Sequence, residues 1–134
     1  MILSNKTLEE LIAQKIITFQ PEALIKEASI KIHLSSLFAK IGAEFHQQDS
    51  YILKPKEFIL AQSKETISLP LEYAGLYDGY THLSRKGIIT HMGSMFIDPG
   101  TDSYITLEIF NASDKDVELE AGMRVGHVVI LEVR

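Results

Sequence analysis

The stretch YTHLSRKGIITHMGSMFIDPGTDSYITLE, residues 80–108, decides the fold. Its end reads as a strand running on to Asn111. Ile105, Leu107 and Ile109 alternate with Thr106, Glu108 and Phe110, so the two sets fall on opposite faces. A face bearing Thr, Glu and Phe is neither plain core nor plain solvent surface, and it suits a pocket or a subunit boundary. On alternation alone, an exposed glutamate beside an edge aromatic is the commoner meaning. Upstream, Asp98-Pro99-Gly100 is a turn former in which glycine lets backbone approach a ligand closely; an ordinary β-turn is the bland alternative. Arg85 precedes Glu108 by 108 − 85 = 23 residues.

Working outward, Leu8, Leu11 and Ile12 fall at i, i+3 and i+4, and Thr7 with Glu10 makes a capping-box pattern. A short helix is expected over 5–14. Ala28, Ile30, Ile32 and Leu34 alternate with Ser29, Lys31 and His33, as in a half-buried strand. Further apolar runs recur at 38–41, 51–53, 58–61, 67–69, 88–90, 104–110 and 125–133. Turn formers separate them at 47–50, Pro55-Lys56, Pro70, Pro99-Gly100, 111–116 and Gly122. Many short strands with regular turns predict an all-β barrel or sandwich in a single domain, 1–134.

The formal charge of −5 argues against a non-specific nucleic-acid partner, which needs a basic face to displace counterions. Any bound polyphosphate must then be held by a few local cations or amides. The chain has no cysteine and no His-x-Glu, so zinc-deaminase chemistry is not expected. Its five histidines lack paired spacing, which predicts no metal site built by the protein. No segment approaches the roughly 18 apolar residues of a membrane span, and a cytoplasmic setting is the default expectation.

The order of these anchors resembles the dCTP deaminase branch of the dUTPase superfamily. Members read roughly S-S-L-x-R-x-G-L-x-x-H, then I-D-P-G, then I-T-L-E, with the Arg85–Glu108 spacing seen here. Met1-Ile2-Leu3-Ser4 looks like the family's start, Ala28 to Leu34 sits where members carry S-S-I-D-V-R-L, and Ala121 to His127 is similar to P-G-M-x-I-G-Q. The resemblance implies a dUTPase-like distorted barrel or jelly-roll with a short N-terminal helix. It implies a homotrimer with active sites at subunit boundaries, and hydrolytic deamination of dCTP to dUTP without zinc. Glu108 would be the proton shuttle, helped by Arg85 and by Thr81, which keeps the usual serine's hydroxyl. Ser94, Asp98 and His91 would border the base and sugar. Tyr80 and His82 occupy positions that meet the triphosphate, which members bind with Mg²⁺.

Several positions depart from the pattern. Tyr80 replaces a lysine or arginine, His82 a serine, and Lys31 the aspartate of the S-I-D-V strand. Thr101 and Ser103 replace the aromatic and glycine after I-D-P-G, and members continue past the position of Arg134 into a glycine-containing tail. Two further readings follow: a dUTPase-type pyrophosphatase, or a catalytically reduced homologue that keeps the trimer for regulation or protein binding.

Overall fold

Ser4 starts the first helix. Its backbone is extended and its hydroxyl accepts the Thr7 amide at 3.2 Å, so α1 (Asn5–Ala13) is capped three residues earlier than the Thr7–Glu10 pattern predicts. Leu8 and Leu11 turn inward from it. The computed structural model describes every residue, Met1–Arg134, and most of its remaining regular structure is strand. In chain order the strands are β1 (Thr18–Gln20), β2 (Ile25–Lys26), β3 (Ser29–Ala39), β4 (His46–Gln47), β5 (Ser50–Leu53), β6 (Phe58–Ser68) and β7 (Tyr73–Gly79). After the one-turn α2 (Thr81–Ser84) come β8 (Ile88–Ile89), β9 (Phe96–Ile97), β10 (Asp102–Asn111), β11 (Val117–Glu120) and β12 (Arg124–Glu132).

A curled sheet in the order β8-β10-β6-β3-β12-β7-β9 forms the body, with β1 added on β6 and β2 and β4 on β3; β5 and β11 pair separately. The curl wraps a continuous core of 23 buried residues. The all-β expectation holds. No helix is long and apolar enough to cross a membrane.

Four local expectations change. Ala28 lies outside the strand: it and Glu27 both take positive φ, near 56°, and form the two-residue loop that turns β2 into β3. The Ser29 and Lys31 side of β3 is buried rather than half-exposed, because the β2 hairpin packs beside it. The runs at 58–61 and 67–69 are one strand, β6, whose inward positions include the polar Ser63 and Glu65. β7, with its small Ala74, Gly75 and Gly79, is not among the apolar runs at all.

Ser63 and Glu65 are inside because the neighbouring strands bulge there. The β10 register shifts between Tyr104 and Thr106, and the Ile105 amide stranded by that shift donates to the Ser63 hydroxyl at 2.9 Å. The β3 register shifts between Leu34 and Phe38. Just before that shift, the His33 amide donates to Glu65 Oε1 at 2.9 Å while the ring Nδ1 meets Oε2 at 2.6 Å. A buried carboxylate thus does the work of a missing ladder partner. Glu65→Gln keeps one acceptor but loses the charge facing the ring. It should cost about 1–2 kcal/mol, read as a lower denaturant midpoint at unchanged slope. An unchanged midpoint would mean that this pair does not hold the strands together.

Candidate active site

The expected deaminase residues divide between two surfaces of the chain. Glu108 stands half-buried on the outer face of β10, as the alternation predicts. Its Oε1 accepts the backbone amides of Gly93 at 2.8 Å and Met92 at 3.3 Å. The loop can come this close because residue 93 is glycine: a Cβ there would lie 3.1 Å from Oε1. Two amides on one oxygen set the carboxylate's orientation and leave Oε2 without a hydrogen-bond partner.

The same loop opens onto a cavity of about 220 Å³. His91, Ser94 and Asp98 all border it, as does Thr106, which shares Glu108's face of β10. The 98–101 turn is tight: Gly100 takes φ +84°, the Thr101 amide donates to the Asp98 carbonyl at 3.2 Å, and the Thr101 hydroxyl donates to it at 2.7 Å. This leaves the Asp98 carboxylate free of protein partners. Ser94 Oγ accepts the Phe96 amide at 3.0 Å and so shapes the loop. His91 packs edge-on against the Tyr77 ring at 5.1 Å, and its Nδ1 is buried without a partner. An orphaned buried nitrogen on a cavity wall is a place for a polar ligand atom.

Tyr77, Tyr104 and Thr106 also line the wall and are not among the expected site residues. Thr106 was signalled by its alternation with Leu107. Nothing in the local sequence marks Tyr77, a buried phenol whose hydroxyl lies 2.9 Å from Thr90 Oγ1 and 3.1 Å from the Val125 carbonyl. Burial holds that phenol well above its usual pKa, so it braces His91 as a neutral group.

Arg85 lies elsewhere. It closes α2, its amide donating to the Thr81 carbonyl at 3.0 Å, and its exposed side chain borders a second concavity with Lys86, Ser113 and Lys115. It forms no ion pair with Glu108 in the same chain, and Thr81 and His82 are exposed beside it on α2. Tyr80, at the N-cap position, turns its ring under the Arg124 guanidinium, 4.3 Å from the centroid, with His82 5.9 Å away. No three or more His, Asp or Glu side chains gather as a metal cage.

The family model described as dCTP deaminase-like matches residues 2–133. A dCTP deaminase, dUMP-forming, from Mycolicibacterium smegmatis is 30% identical over 154 residues, covering 99% of this chain and 82% of that protein. Among solved structures, the 2'-deoxycytidine 5'-triphosphate deaminase from Agrobacterium tumefaciens superposes with a TM-score of 0.81 at 16% identity over 99% of this chain. This chain spans about half, 48%, of the length of that one. The EIAV dUTPase superposes with a TM-score of 0.66 at 14% identity, over 87% of this chain and 88% of that one. With a core, a curled sheet and a sequence match running from residue 2 to residue 133, this chain belongs to the dCTP deaminase-like family.

Proposed function

We propose that the chain deaminates the cytosine of dCTP without zinc, with Glu108 as the proton shuttle and dUTP as the product of that step. The observation that carries this reading is the Glu108 carboxylate gripped by the Met92 and Gly93 amides, in a loop whose flanking His91 and Ser94 line the cavity, which Glu108 itself does not line. At about 220 Å³ the cavity is smaller than the roughly 300–1,000 Å³ of drug-sized sites, a size that suits one ring rather than a whole nucleotide.

Glu108 removes a proton from water as the oxygen attacks C4, and delivers that proton to N3. The tetrahedral intermediate collapses with proton transfer to the amine, which leaves as ammonia; dCTP and water become dUTP and ammonia. The Asp98 turn and the His91 ring would fix the base and sugar while the Met92 and Gly93 amides hold the carboxylate steady. Arg85 and Thr81 face solvent on another surface, so they would act on the Glu108 of a second copy, in a homotrimer. Exposed Met95, Phe96 and Tyr104 on the cavity wall, with exposed Met92 in the same loop, support a subunit covering this side.

A second reading comes from the relatives, whose printed activity is dUMP-forming. If it applies here, a second water also attacks the α-phosphorus and diphosphate leaves. One experiment separates the two. The purified chain is incubated with dCTP and dUTP under a zinc-selective chelator, ammonia and diphosphate are assayed separately, and mass is measured by light scattering. The proposal expects a trimer that releases ammonia from dCTP with no diphosphate. Equal release of both supports the dUMP-forming reading, and a monomer that turns over neither overturns the shared site.

A further inference from the structure

Two cationic side chains and a histidine from distant parts of the sequence meet on the outer face where β3, β12 and β7 run side by side. His127 stands opposite Lys31 on one neighbour and Asp78 on the other, and Arg124 stands opposite His33. Lys31 is only 7% exposed; its ammonium donates to Ser29 Oγ at 2.9 Å and lies 3.9 Å from the solvent-facing Glu27 carboxylate. Arg124 rests on the Tyr80 ring, has no carboxylate partner, and keeps its Nε buried and unpaired. His127 Nε2 is 3.6 Å from the exposed Asp78, while its Nδ1 is buried and unpaired. His33, on the same face, is committed to Glu65.

This arrangement is unfavourable as it stands. Burial lowers the Lys31 pKa and the neighbouring Arg124 lowers it further; burial lowers His127, and Lys31 and Arg124 add to it against the pull of Asp78. A chain of net charge −5 has therefore placed Lys31, Arg124 and the protonatable His127 side by side and left Arg124 Nε and His127 Nδ1 without partners. An anion with several acceptor oxygens would answer both deficits. The face does not fit the Mg²⁺ that the family resemblance implies for the triphosphate. Lys31 stands where the family pattern carries the aspartate of the S-I-D-V strand, and no group of three or more acids or histidines is placed to hold a metal ion.

We propose that the Lys31–Arg124–His127 face binds the polyphosphate of the ligand directly, with no divalent cation between phosphate and protein. The inference deepens the nucleotide reading above, since the polyphosphate is the tail of that same ligand, but its test requires no turnover. Inorganic tripolyphosphate is titrated calorimetrically into the full chain, once in EDTA and once in excess Mg²⁺. Binding in EDTA should be at least as tight as in Mg²⁺, because the metal would neutralise charge the cations seek.

Arg124→Gln and His127→Gln should each weaken it about 10–100-fold, the range expected for losing a charge-assisted hydrogen bond, with thermal melts checking that both fold. Binding should tighten from pH 7.5 to pH 5.5 as His127 takes its proton between Lys31, Arg124 and Asp78, and His127→Gln should remove that dependence. Binding that appears only with Mg²⁺, or that neither substitution alters, overturns the proposal. Metal-free binding in a chain that never deaminates dCTP would leave this inference standing and sink the reading of function. Turnover with strictly Mg²⁺-dependent binding would do the reverse.

Discussion

Glu108→Gln should lower ammonia release from dCTP by roughly 10²–10⁴-fold, the contribution of a positioned general acid–base group. The substitution is chosen for what it preserves. A glutamine amide has the same length and volume, and its oxygen can take the Gly93 amide at 2.8 Å and the Met92 amide at 3.3 Å as Oε1 does. What it loses is the ability to accept a proton from water and return it to the base. Thermal stability and oligomer mass should therefore stay within error while the rate collapses, and substrate binding should fall far less than turnover. A variant that keeps near-native rates would remove Glu108 from the chemistry. A wild-type trimer without ammonia release would instead favour the regulatory homologue.

Gly126→Ala should be the most damaging small substitution in the fold, costing about 3 kcal/mol or more. Gly126 sits in the middle strand of three, paired with Ile32 on one side and Gly79 on the other, where the β12 register shifts after Arg124. A Cβ there would run into the Asp78 carbonyl oxygen and lie 2.5 Å from Tyr77 Cζ and its hydroxyl oxygen. Neither can retreat cheaply: Asp78 belongs to β7, and the Tyr77 hydroxyl is held against Thr90 and Val125. The melting temperature should fall by about 10 °C.

Gly122→Ala is the contrast. Gly122 has φ +88° but no atom within 4 Å of an added Cβ, so only backbone strain is at stake, about 1 kcal/mol. Equal losses at the two positions would show that close approach is not what residue 126 provides. Because Tyr77 braces His91, Gly126→Ala should also loosen the cavity wall, which links this strand crossing to the site.

Alternation is a local property, and wherever it governed the outcome the sequence by itself was enough. Glu108 and Thr106 fall on one face of β10, α1 buries Leu8 and Leu11, and Asp98-Pro99-Gly100 forms the tight turn, all from residues a few positions apart. The motif order and the 23-residue interval from Arg85 to Glu108 likewise pointed to the family without coordinates. Properties set by partners across the sheet were not legible. Ser63 and Glu65 interrupt the apolar pattern and split β6 into two runs, and their burial was hidden because the amides that need them, Ile105 and His33, are stranded by register shifts in other strands.

Arg85 and Glu108 share a motif yet lie on different surfaces of one chain, and sequence spacing carries no information about the turn of α2 that separates them. Lys31, Arg124 and His127 are scattered over nearly a hundred positions and become one cationic face only when β3, β12 and β7 pair. Periodicity tells which way a side chain points relative to its own strand. Which side chain stands opposite it is decided by long-range pairing and bulges, whose free energy belongs to the whole sheet.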